Sequence, residues 1–232
     1  GNGGGAIHIK LGSNDLNVDG VLRANGTNGS DGGGGAGGSL WLEAGNINGT
    51  GTITVDGGSG GGSAGGAAGG RIAIYEQSRG TFPITDKTVL HAFGYPTSNV
   101  PGPGTIYIDA DGVIGGNGDL YVNNNGNNGQ SAGIPYDSVN PVQQFNKIYA
   151  KEYGHLRVQG IDSTLIVTDQ NGIEGDSTTP RIQPEGLIQL PTIFTIDKIT
   201  LDIIGNLSGA DRVTVGDGLS SARFILYART NR

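Results

Sequence analysis

Three histidines, His8, His91 and His155, are the only imidazoles in the chain. Gly-x-Ser-x-Gly occurs at 57–61, 61–65 and 129–133, but in glycine- and asparagine-rich stretches with no helical window to complete a strand-to-helix elbow, so a serine-hydrolase triad has no support. His8 and His91 fall at outward strand positions and read as surface histidines. Cysteine is absent, which removes thiol nucleophiles, zinc-thiolate sites and disulfides. Glycoside hydrolysis needs two carboxyls facing each other about 5 to 9.5 Å apart. The outward row Lys10, Glu43, Tyr75, Asp109 holds two acids with a whole rung between them, too sparse a pattern for an enzyme. Asp109 and Asp111, in Asp109-Ala110-Asp111-Gly112, offer the oxygens that a hard cation such as calcium takes, as do Asp211 and Gly216-Asp217-Gly218. Asp-Gly pairs serve turn geometry equally well, and neither stretch completes an EF-hand loop or a glycine-aspartate nonapeptide. No other cofactor is expected.

A second group could bind rather than react. In a parallel stack His8, Trp41, Ala73 and Tyr107 would share one outward row at about 4.8 Å per rung. His8, Trp41 and Tyr107 would then form a platform for sugar rings. The competing expectation is that glycine-rich segments cover this row and tuck Trp41 and Tyr107 beneath them. The accessibility of Trp41 separates the two. Asn25, Asn28, Asn48 and Asn206 each begin an Asn-x-Ser/Thr sequon, which matters only if the source glycosylates.

These residues are placed by a repeat. Gly5-Ala6-Ile7-His8-Ile9-Lys10, Gly38-Ser39-Leu40-Trp41-Leu42-Glu43, Gly70-Arg71-Ile72-Ala73-Ile74-Tyr75 and Gly104-Thr105-Ile106-Tyr107-Ile108-Asp109 share one pattern. Ile7 to Leu40 is 33 residues, Leu40 to Ile72 is 32 and Ile72 to Ile106 is 34. A second series, around Leu22, Ile53, Leu90 and Leu120, lies between them. Each repeat thus carries two period-2 strands that cannot bury an aliphatic face alone but can by stacking on their equivalents. The expected fold is all-β, a right-handed parallel β-helix with glycine-rich insertions. A β-sandwich is the alternative, but it does not account for two interleaved series in register. Glycine-rich coils are expected over 1–125, and further β-coils, of the same or a second all-β unit, over 126–232.

Glycine supplies 46 of 232 residues, nearly three times the ~7% of average usage, and no amphipathic helical window survives it. Two inserts, 26–38 and 57–70, leave and re-enter the coil at equivalent places. Gly/Ser tracts usually form flexible linkers, but linkers join domains and these recur within a period. The other reading is an ordered, closely packed layer of extended segments. No phosphate-loop lysine follows the glycines. A net charge of −7 disfavours nucleic acid and anionic membranes as partners. No apolar run is long enough to span a bilayer. The opening Gly1-Asn2-Gly3-Gly4-Gly5 has no start methionine or signal-peptide pattern, so the chain reads as a mature protein or a piece of a longer one.

The stretch 33–45 (through Ser39-Leu40-Trp41-Leu42-Glu43-Ala44), the stretch 62–75 (ending Arg71-Ile72-Ala73-Ile74-Tyr75) and Gly102-Pro103-Gly104-Thr105-Ile106-Tyr107-Ile108 resemble glycine-rich microbial cell-surface and adhesin-like proteins with a pectin-lyase-like β-helix. The resemblance covers roughly the first 125 residues well and the rest loosely. It implies secretion, display at the cell surface and a multi-domain parent, and brings no catalytic residue with it. The expected role is non-enzymatic: a structural or adhesive module of an extracellular fibre, sheath or surface protein, partnered by itself or by neighbouring domains. The alternative is a carbohydrate-binding or polysaccharide-degrading β-helix protein.

Overall fold

The computed structural model describes residues 1–97, 100–110, 117–178, 180–216 and 222–226. All regular secondary structure among them is strand. The chain divides into two compact units, Gly1–Gly118 and Asp119–Arg232.

In the first unit the strands Ala6–Lys10, Ser39–Ala44, Arg71–Glu76 and Thr105–Asp109 form one parallel ladder. Its register aligns Ile7 with Leu40, Ile72 and Ile106, the alignment expected from the repeat spacing. Period-2 alternation sends Leu40, Leu42, Ile72 and Ile74 inward, each at most 2% exposed, and each such burial stabilises by about 1.5–3 kcal/mol. A second parallel ladder aligns Leu22, Ile53 and Leu90. Leu120, expected as its fourth member, instead lies in Asp119–Asn123 of the second unit and pairs with Ile148. Alternation looks the same in every ladder, and the 14 residues from Ile106 to Leu120 match the 15 from Ile7 to Leu22, so spacing alone puts Leu120 in the wrong series.

A third ladder, Leu16–Asn17 with Ile47–Asn48, is two residues long and escaped the periodicity reading. In the next repeat its place is taken by a loop whose Phe82, fully buried, donates its N–H to the Ile47 carbonyl at 3.0 Å. Glu76 ties that loop down. Alternation points its side chain into the core, where one carboxylate oxygen accepts the Ile47 N–H at 2.7 Å and the Gly80 N–H at 3.0 Å, and the other pairs with Arg79 at 2.8 Å.

The glycine inserts are ordered. The Gly34 N–H donates to Gly65 at 3.1 Å and the Gly58 N–H to Gly35 at 2.8 Å, linking the two inserts. The Gly35 N–H donates to Thr27 at 2.9 Å within its own insert. The strands are brought so close that a Cβ on Gly34 would sit 2.0 Å from the Gly58 carbonyl oxygen, and one on Gly58 would sit 2.1 Å from that of Thr27. Glycine is there because nothing larger fits, and the linker expectation gives way to the packed layer.

In the second unit three parallel ladders recur. One contains Asp119–Asn123, Ile148–Lys151, Ile173–Glu174, Ile193–Asp197 and Arg212–Val215. The next contains Ala132–Ile134, His155–Val158, Arg181–Pro184, Thr200–Ile203 and Arg223–Leu226. The last contains Val142–Phe145, Thr164–Val167, Leu187–Gln189 and Asn206–Ser208. The chain visits them in that order, turn after turn.

His155 gives this unit a pH response. Burial, reinforced by the neighbouring Arg181 cation, holds the imidazole below its ordinary value of 6.5. As pH falls through 6.5 the unfolded chain takes up a proton that the folded chain refuses, so stability must fall in that window. Thermal melts between pH 8 and 5 should show the second unit losing stability on acidification, and His155→Gln should flatten that part of the profile. Identical profiles for the two proteins would contradict this.

Candidate functional site

The outward face of the first ladder in the first unit gathers the planar side chains. Three outward rows run across its strands: Ala6, Ser39, Arg71, Thr105; then His8, Trp41, Ala73, Tyr107; then Lys10, Glu43, Tyr75, Asp109. The middle row has a gap at Ala73. Tyr75 closes it from the adjoining row, so that His8, Trp41, Tyr75 and Tyr107 form a continuous series of ring contacts with centroids 5.6, 5.3 and 5.5 Å apart. Tyr75 was not among the expected binding residues. The sequence signal for it was the missing side chain at Ala73, which leaves room for an aromatic ring two positions along the same strand.

Trp41 is 46% exposed. The expectation that the glycine layer covers it therefore fails: the inserts pack on each other and leave the indole open to solvent. The Trp41 and Tyr75 rings lie at 28° with centroids 5.3 Å apart, beyond the ~3.5–4 Å of direct carbon contact, so they are offset. Beside them runs a groove of about 480 Å³ with Ala73 on its floor, lined by His8, Trp41, Tyr107, Ser39, Arg71 and Thr105. That volume lies in the range of small-molecule sites.

Acidic groups back the aromatic series. Asp109 is buried, and the Tyr107 hydroxyl donates to it at 3.4 Å while accepting the Gly118 N–H at 2.9 Å. Burial pushes the Tyr107 hydroxyl up to about 12, helped by the nearby Asp109 charge, so it stays protonated as a donor. Burial, with Asp109 and Glu43, raises Tyr75 as well. Glu43 is buried and accepts Lys10 at 3.1 Å. Asp111, the other expected calcium ligand, lies outside the described residues, as does Asp217. Among the described residues no three acidic or imidazole side chains converge as a metal site would require.

No protein-family model, curated protein or solved structure matches this chain.

The sequon asparagines are built into the stack. The Asn25 side-chain oxygen accepts the Thr54 hydroxyl at 2.8 Å and the Asp56 N–H at 2.9 Å, and its nitrogen donates to Asp56. Asn28 accepts the Ser59 N–H at 2.8 Å, and Asn48 the Thr81 N–H at 2.9 Å. Asn206 is exposed at the start of a strand. His91, expected at the surface, is half-buried and lies 2.8 Å from the Asp56 carboxylate.

In the second unit Tyr121 and Tyr149 stack at 4.7 Å with Lys151 over the Tyr149 ring. In the same row Glu174 and Asp197 occupy adjacent rungs. These are the adjacent outward acids that the first unit lacks. Each has a lysine at hand, Lys151 on Glu174 and Lys198 at 3.6 Å from Asp197.

Proposed function

We propose that this chain is a non-enzymatic structural or adhesive module of an extracellular fibre, sheath or cell-surface protein, wound as a right-handed parallel β-helix and making its contacts through exposed aromatic side chains. The observation that carries the adhesive part is the series His8, Trp41, Tyr75, Tyr107, exposed at His8 and Trp41 and half-buried at the two tyrosines, beside a groove of ligand size. Aromatic rings displayed on a stiff ladder lose little conformational entropy on contact and offer apolar area together with polar edges. Carbohydrate is the partner class such a surface suits.

The winding is supported by the order in which the chain visits its ladders. In the second unit it passes through three ladders in a constant sequence before returning one rung along, and the described ladders of both units are parallel. A β-sandwich pairs antiparallel strands in two facing sheets. Right-handedness follows the general rule for parallel crossovers.

A polysaccharide-degrading enzyme is the second reading, favoured by Glu174 and Asp197 on adjacent rungs. A glycosidase acid must be kept protonated in an apolar setting. Glu174 is exposed, and lysines stand beside both carboxylates, which supports the non-enzymatic reading instead. Incubation with acidic and neutral polysaccharides separates the two: the expected result is retention on the polymer without soluble product, and release of shortened chains would overturn it. Acrylamide should quench Trp41 fluorescence efficiently in the native protein, since the ring is nearly half exposed. Quenching no better than for a buried indole would remove the adhesive surface.

A further inference from the structure

The groove over Ala73 has a charge as well as an aromatic wall. Arg71 is exposed at the start of its strand, and among the described residues its guanidinium has no ion-pair or hydrogen-bond partner. In register on either side of it are Ser39 and Thr105, whose hydroxyls are likewise uncommitted among the described residues. The anions on the same face are withdrawn from it. Glu43 is 6% exposed and held by Lys10 at 3.1 Å, and Asp109 is 2% exposed. A polar strip with one free cation, Ser39-Arg71-Thr105, therefore runs directly beside the aromatic strip Trp41-Ala73-Tyr107, and both line one groove of about 480 Å³.

The geometry points to a binding site for an anionic sugar, carboxylated or sulfated, with its ring against Trp41 and Tyr107 over Ala73, its acidic group on Arg71 and its hydroxyls within reach of Ser39 and Thr105. This rests on the carbohydrate-binding reading above and specifies its ligand. A planar guanidinium offers paired donors to a carboxylate or sulfate oxygen pair. On a chain with a net charge of −7, an arginine with no partner among the described residues is the feature that selects an anion.

The chain has a single tryptophan, so its fluorescence reports on this groove directly. Three oligosaccharides of equal length serve as probes: an oligouronate, a sulfated galactan and a neutral galactan. At least one anionic probe should bind about tenfold or more tightly than the neutral one, as a charge-assisted hydrogen bond implies. Added salt should shrink that preference and Arg71→Gln should abolish it, while Arg71→Lys should keep part of it. Whether the uronate, the sulfated chain or both are preferred identifies the acidic group. Ala73→Leu, which fills the groove floor and keeps Trp41 and Arg71, should weaken all three probes. Equal affinity for neutral and anionic probes, or a preference that survives Arg71→Gln, or unchanged binding by Ala73→Leu, would overturn the site while leaving an aromatic platform standing. No binding of any probe would remove the platform and this site together.

Discussion

Alanine at Gly34 should destabilise the first unit by roughly 1–3 kcal/mol, whereas alanine at Gly32, two residues earlier in the same glycine run, should leave it unchanged or slightly stabilised. A Cβ on Gly34 would meet the Gly58 carbonyl oxygen at 2.0 Å and the Ser59 carbonyl carbon at 2.9 Å, both backbone atoms of the neighbouring insert. Neither can rotate away. Relief requires the two inserts to separate, and their links at Gly34 to Gly65 and Gly58 to Gly35 then lengthen or break. A Cβ on Gly32 meets nothing within 4 Å, so alanine there only restricts the unfolded chain. Urea denaturation of the two variants measures the difference. A flexible linker predicts the same small effect at both positions, and equal midpoints would contradict the packed layer.

The largest single-residue effect is expected at Glu76. Removing this fully buried carboxylate by Glu76→Ala strands the Ile47 and Gly80 N–H groups and leaves Arg79 without its anion. Each N–H left without its acceptor costs about 1–3 kcal/mol, so the two together carry most of the loss, while Arg79, over a third exposed, can turn to water. Glu76→Gln keeps an oxygen for both N–H groups and loses only the acceptor and charge that face Arg79, so it should fall well short of that loss. The loop 77–84, which carries Phe82 into the core, should become sensitive to protease in Glu76→Ala first. Equal unfolding midpoints for Glu76→Ala and the parent protein would show that the loop is held by Phe82 alone.

The first ladder was legible because its inward positions are all aliphatic and its spacing varies by only a residue or two. Ile7, Leu40, Ile72 and Ile106 align in three dimensions as they do on paper. The two-residue ladder of Leu16–Asn17 and Ile47–Asn48 was not, since alternation needs more than two residues to register. Leu120 was misplaced because it follows Ile106 by 14 residues, the offset that separates the two series earlier in the chain, and beyond it the repeat shortens, from 28 residues between Leu120 and Ile148 to 19 between Phe194 and Val213.

The aromatic face was partly legible. His8, Trp41 and Tyr107 come from equivalent positions and could be placed in one row from periodicity. Tyr75 reaches that row diagonally, from a position whose own row is charged, and only side-chain geometry shows it. Whether the glycine inserts would cover Trp41 depended on the direction in which they leave the coil, which composition does not encode. Glu76 was hidden for a related reason. A carboxylate at an inward position contradicts the binary pattern, and its partners come from a loop with no periodicity.

The most direct test of the adhesive proposal compares the parent protein with Trp41→Ala on a polysaccharide matrix that retains the parent, under conditions where thermal melts show both folded. Truncating a central aromatic anchor should lower the apparent affinity about tenfold or more, without soluble product from either protein. Equal retention of the two proteins would contradict the account, because it would place whatever adhesion the chain has somewhere other than the exposed aromatic face.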